Sequence, residues 1–86
     1  MLKGKTESGF EFEVADAAMN NYELVEVLAE VDTNALLLPK QVNMLLGEDQ
    51  KKRLMDHVRT DDGTVPIDAI SAEIMEIFQS GKAKNS

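Results

Sequence analysis

The segment IDAISAEIMEIF, residues 67–78, carries the clearest periodicity in the chain. Ile67, Ile70, Ile74, Ile77 and Phe78 recur at steps of three, four, three and one, which places them on one side of a helix turning about 100° per residue. Pro66 precedes the run, at a position where a missing N–H is tolerated. Burying the four isoleucines would contribute on the order of 6–12 kcal/mol of gross hydrophobic stabilisation before conformational entropy is subtracted. The pattern predicts a helix that ends near Gln79 and forms the centre of the core. Beyond it, Gly81, Lys82, Ala83, Lys84, Asn85 and Ser86 offer no apolar anchor, so residues 81–86 are predicted to form a disordered tail.

Working backward, Thr60-Asp61-Asp62-Gly63 reads as a turn. The preceding helix opens at Glu48-Asp49, carries Leu54, Met55 and Val58 inward, and turns Lys51, Lys52 and Arg53 largely outward. Gly47 fits the position just past another helix, which has Pro39 in its first turn and Val42, Leu45 and Leu46 as its apolar residues. Upstream, Asn20 or Asn21 can cap a helix presenting Leu24, Val25, Leu28 and Val31, with Asp32-Thr33-Asn34 at its end. Asp16 can cap a short helical turn through Met19. At the N-terminus, Phe10, Phe12 and Val14 alternate with Glu11 and Glu13, the period of a strand with one apolar face. With Glu7-Ser8-Gly9 as the turn and Leu2 to Thr6 as the partner strand, this is a β-hairpin. Two strands alone are marginal in water, so that face must pack on helices. The expected fold is α+β, mainly α: a hairpin over residues 1–14 packed on four to five short helices over residues 16–80, in one domain spanning 1–80.

Composition narrows the function classes. An 86-residue domain buries only about 60–65% of the surface its unfolded chain exposes. With three Phe, one Tyr and no Trp, its core must come from Leu, Ile, Val and Met. There is no cysteine, hence no disulfide or thiolate metal site, a count that fits a reducing cytoplasm. Nine basic residues against 16 acidic ones give a formal charge of −7, which repels a phosphate backbone. Lys51, Lys52 and Arg53 fan around a helix without making a basic face, so nucleic acid is not an expected partner. The N-terminal MLKGKTESGF lacks the apolar run of a signal peptide, and no later segment approaches the roughly 20 apolar residues of a membrane span. A soluble cytosolic protein is expected.

Few residues suggest site chemistry. With Gly63 at the sharp turn of a calcium loop, the first, third and twelfth ligand positions fall on Val58, Thr60 and Ala69, which cannot supply the required carboxylates. His57 has no nucleophile motif around it and reads as a structural histidine at a helix end. Glu73 and Glu76, like Glu23, Glu26 and Glu30, are spaced as on solvated helix faces. Neither cofactor nor metal nor enzymatic activity is expected. Met44, Met55 and Met75 read as core filler, although thioethers also suit adaptable contact surfaces. Leu36, Leu37 and Leu38 cannot all point inward from a helix start, so at least one belongs to a surface. Leu36, Leu37, Leu38 and Met44 are the candidate partner-binding residues.

The order of pieces resembles the small tail assembly chaperones of long-tailed phages and prophages of Gram-positive bacteria. The likeness runs over nearly the whole chain. It comprises the strand pair ending in GFEFEV, Glu23 through Asp32, Leu38 through Glu48, His57 with Arg59, Asp62 through Pro66, and Glu73 through Phe78. Ala35 departs from the pattern, standing where the family has proline. The resemblance implies a protein that coats the long helical tape measure protein in the host cytoplasm, keeps it soluble while the tail tube assembles, and is absent from the mature virion. It also implies a longer form made by ribosomal frameshifting near the end of the gene. Ala83-Lys84-Asn85 is compatible with a slippery codon run, and the extension would recruit tail-tube subunits. Self-association stays open, as does the alternative of a small acidic adaptor or regulatory module of a prophage.

Overall fold

Alternation at the N-terminus produces a sheet of two strands. In the computed structural model, which describes the backbone of residues 1–84 and side chains through residue 80, β1 (Leu2–Lys5) and β2 (Glu11–Val14) pair antiparallel. Leu2 stands opposite Val14, Lys3 opposite Glu13, Gly4 opposite Phe12 and Lys5 opposite Glu11. Thr6 N–H donates to the Phe10 carbonyl at 2.9 Å and Gly9 N–H to the Thr6 carbonyl at 2.9 Å, closing the turn. The predicted apolar face is buried: Phe10 and Phe12 are 3% exposed and Val14 1%. A Cβ on Gly4 would lie 2.8 Å from Phe12 Cζ, so the missing side chain is what lets the Phe12 ring lie across β1.

Among the described residues, four α-helices and a 3-10 turn follow: α1 (Asp16–Met19), α2 (Tyr22–Val31), the 3-10 turn Ala35–Leu37, α3 (Leu38–Val58) and α4 (Ile67–Lys84). Asn21 is the cap of α2, its Oδ1 accepting from Glu23 N–H at 3.0 Å. Asp16 does not cap α1. Ala15 holds the cap position, and Asp16 is the first helical residue, paired with the terminal amine of Met1 at 2.8 Å. Gly47 divides α3 into two arms, 38–46 and 48–58, with φ 81° and ψ 172°. That backbone region is essentially closed to residues with a Cβ, so the predicted break at Gly47 appears as a sharp kink rather than a separate loop.

Elements from the whole chain contribute to one core. Leu24, Leu54, Ile74 and Ile77 are at most 1% exposed, and Leu2, Phe10, Phe12, Val14, Leu45 and Ile70 join the same cluster. The radius of gyration, 12.4 Å, matches the roughly 12 Å of a compact chain of this length, which fits a single unit.

Three readings of the apolar stripes change. On α2 the buried residues are Leu24 and Val27, with Leu28 and Val31 packed beside the core, whereas Val25 is 49% exposed. Steps of three, four and seven from Leu24 follow a helical face better than the step of one to Val25. On α4 the core face begins at Ile70, because Ile67 is the first helical residue and is 65% exposed. Met75 is 44% exposed and fills no core space, while Met44 is partly buried against the core. The helix also runs past Gln79 to Lys84, across Gly81. One glycine costs about 1 kcal/mol in a helix interior, less than a stop signal requires when alanine and lysines follow. The tail predicted for 81–86 is thus helical in backbone through Lys84, and residues 85 and 86 lie outside the described residues.

Ile74, fully buried, gives the sharpest test of this core. Ile74→Ala should lower unfolding free energy by about 2–4 kcal/mol, whereas Ile67→Ala should stay within about 0.5 kcal/mol. Urea denaturation of the two variants checks the pair, and an unchanged midpoint for Ile74→Ala would remove the residue from the centre of the core.

Candidate functional site

Three consecutive leucines begin the site. Asn34 accepts Leu36 N–H on its side chain at 3.2 Å and Leu37 N–H on its carbonyl at 3.0 Å, which winds Ala35–Leu37 into the 3-10 turn. Successive side chains then fan out around the turn axis. Leu36 points to solvent at 87% exposure, Leu37 is half-buried and Leu38 is core at 7%. Of the candidate partner residues, Leu36 is therefore a free surface group. Leu38 is committed to the interior, and Met44 is half-buried against the core.

Leu36 does not stand alone. It borders an apolar groove of about 450 Å³, with Leu38 and Val42 from the start of α3, Met55 from its second arm, and Ile67 and Ile70 from α4. Val65 belongs to the same lining, and among the described residues Lys51 supplies its one charged group. Lys51 pairs with Glu48 at 3.3 Å, one turn away, and its side chain is 26% exposed, so its stem covers apolar surface while the ammonium stays paired. Sequence reasoning missed Met55, Val65 and Ile67 as groove residues. Each comes from a segment distant from Leu36, and the signal for Ile67 pointed inward because it continued the α4 stripe.

A second cluster bolts the hairpin turn to the helices. Thr6, 4% exposed, donates its hydroxyl to Glu73 Oε1 at 2.8 Å and accepts Phe10 N–H at 3.1 Å. The Ser8 hydroxyl donates to the same Glu73 oxygen at 3.0 Å, and His57 Nε2 lies 3.0 Å from Ser8 Oγ. Glu7 N–H donates to Glu76 Oε2 at 2.8 Å. Glu73 is thus not on a solvated face. It is 7% exposed, and two hydroxyls from the turn replace its water. A carboxylate only accepts, so Ser8 spends its single proton on Glu73, and the contact with His57 is satisfied when Nε2 carries the donor proton. Ser8 is held as donor to an acid and acceptor from an imidazole, the reverse of what an activated serine nucleophile needs. His57 also sits 5.6 Å from the Phe10 ring, whose face carries the Arg53 guanidinium at 5.3 Å.

The turn between α3 and α4 uses its acid internally. Asp62 Oδ1 accepts the Thr60 hydroxyl and, at 3.0 Å, Thr64 N–H. Both bonds favour the carboxylate form and hold the Asp62 pKa below its ordinary value.

Comparison with protein-family models, with curated proteins and with solved structures gives no match to this chain.

Two outcomes test these polar clusters. Glu73→Leu leaves the buried Thr6 hydroxyl without its acceptor and should destabilise the fold by about 1–3 kcal/mol, with Glu73→Gln closer to the parent because it keeps a carbonyl oxygen. Equal loss in the two variants, measured by chemical denaturation, would show that the hydroxyl bonds contribute little. For Asp62, an NMR titration should find a midpoint below 3.8 that rises in Thr60→Val. A depressed folded-state pKa contributes stability above the unfolded-state value, and that contribution is lost as pH falls through the folded one. A Thr60→Val midpoint equal to that of the parent would assign the shift to other groups.

Proposed function

We propose that this protein is a tail assembly chaperone of a long-tailed phage or prophage, binding and coating a tape measure protein in the host cytoplasm until the tail tube assembles around it. The observation that carries the binding role is the apolar groove flanked by Leu36 and Ile67, which are 87% and 65% exposed. Two large aliphatic side chains standing beside an apolar cleft suit one stripe of an amphipathic helix, recognised through anchors at helical spacing. The choice of a tape measure protein as the helical partner rests on the resemblance of the segment order, from GFEFEV to EIMEIF.

The size of the groove fits the task. A site of about 450 Å³ holds a few side chains rather than a whole helix face, so each copy binds weakly. Many copies along one long helix gain from proximity to one another, while each remains displaceable by tail-tube subunits. An acidic surface keeps the coated filament soluble. In this reading a frameshifted longer form carries the tail-tube contact.

Co-expression with a tape measure protein, sought as a long helical protein encoded beside this gene, should keep that protein in the soluble fraction. Leu36→Asp combined with Ile67→Asp should abolish most of the effect while leaving the circular dichroism spectrum unchanged, because both side chains are exposed. Full co-solubility with the double variant would move the contact surface away from the groove. A gene neighbourhood lacking a long helical protein would remove the tape measure as partner.

A further inference from the structure

The two edges of the hairpin end differently. Thr6 and Phe10 are bonded directly, and the antiparallel ladder alternates bonded and unbonded pairs, so Gly4 with Phe12 and Leu2 with Val14 are bonded. Lys3 with Glu13 and Lys5 with Glu11 then turn their N–H and C=O groups away from the hairpin, one set to each edge.

On the β2 edge those groups are occupied. Glu13 N–H donates to Gln50 Oε1 at 2.7 Å, and the Glu13 carbonyl accepts from Gln50 Nε2 at 2.6 Å. The carboxamide of Gln50 pairs with Glu13 as a residue of a third strand would. The Arg53 guanidinium donates to the Glu11 carbonyl at 3.3 Å. On the β1 edge, the outward main-chain groups of Lys3 and Lys5 have no hydrogen-bond partner among the described residues, and Lys3, Gly4 and Lys5 are all exposed. The molecule closes one edge with α3 side chains and leaves the other open.

We propose that the outer edge of β1 is a strand-addition site for an extended acidic peptide segment, separate from the apolar groove. Main-chain bonds to Lys3 and Lys5 would supply the attachment, and the lysine side chains the selection. A second copy of this chain is the wrong occupant. Antiparallel pairing of β1 with itself sets lysine against lysine on one face, and like charges directly opposite are destabilising. Lysines on an edge strand guard against such self-pairing. Carboxylates on an added strand would instead continue the charge alternation already present, in which Lys3 lies 3.7 Å from Glu13 across the hairpin. The net charge of −7 is screened over about 8 Å at physiological ionic strength, and the nearest acids, Glu11 and Glu13, stand opposite Lys5 and Lys3 on the far side of β1 from the added strand. Opposed side chains on adjacent strands stand about 5 Å apart, so the two lysines are the first charges the partner meets.

The test uses the 15N-labelled full chain and two blocked five-residue peptides, one alternating Glu and Val, the other alternating Lys and Val. The acidic peptide should shift the Lys3 and Lys5 amide resonances and slow their hydrogen exchange, binding about tenfold more tightly than the basic one. Lys3→Gln with Lys5→Gln should keep the strand and bring the two peptides to equal affinity. Unmoved Lys3 and Lys5 amides, equal binding of both peptides to the parent protein, or shifts confined to Leu36, Met55 and Ile67 would each overturn the assignment. Concentration-dependent shifts at Lys3 and Lys5 without peptide would overturn the choice of occupant in favour of a second copy. The comparison of the two peptides on the parent protein decides the matter even if the double variant fails to fold.

Discussion

A hairpin of two strands has one face to bury and nothing of its own to bury it against. Covering Phe10, Phe12 and Val14 is the requirement that organises the rest of this molecule. Leu54 from the second arm of α3 and Ile74 and Ile77 from α4 are fully buried in the same cluster, so both helices share one core with the sheet. The kink at Gly47 redirects α3 after Leu45 and Leu46 have been committed to the core. Polar bolts fix the result. Gln50 holds Glu13 on one side, and Glu73 receives Thr6 and Ser8 on the other. Apolar burial supplies the gross stabilisation, while these directional bonds select how the hairpin sits on the helices, because a buried acceptor shifted out of reach loses far more than the bond is worth in water.

A core this small cannot cover everything the chain carries. Two of the apolar groups left over, Leu36 and Ile67, come together where the 3-10 turn approaches the start of α4. Leu36 and Ile67 stand beside a cleft whose walls, Leu38, Val42 and Ile70, are core residues. The proposed binding surface is thus an opening in the core. Ligand contact there would touch the side chains that hold α3 to α4, and the groove is rigid to the extent that the core is.

The sites differ in how far the sequence revealed them. Three adjacent leucines announced that one must be exposed, since a turn distributes neighbours around its axis, and Leu36 is that residue. Which other residues would join it was not legible. Met55, Val65 and Ile67 come from three different segments, and periodicity reports which face of a helix is apolar without reporting what another element leaves uncovered. Glu73 fails in the opposite direction. Its spacing suits a solvated face, but the hydroxyls that accept it into the interior lie 67 and 65 residues away in the chain.

Local physics written in the sequence determined the elements. Alternating Phe and Glu made β2, Asn21 and Pro39 marked helix starts, Gly47 marked the break, and the isoleucine spacing made the buried face of α4 from Ile70 onward. These are effects of one residue on neighbours within a turn or two, and they need no knowledge of the remainder of the chain. Tertiary structure alone decided the rest: that Val27 and not Val25 is buried, that Ile67 borders a groove, that Glu73 is interior, and that one hairpin edge is sealed by Gln50 while the other stays open. Each depends on which surface another element happens to cover, and burial and hydrogen-bond satisfaction are properties of pairs of surfaces that no single segment carries.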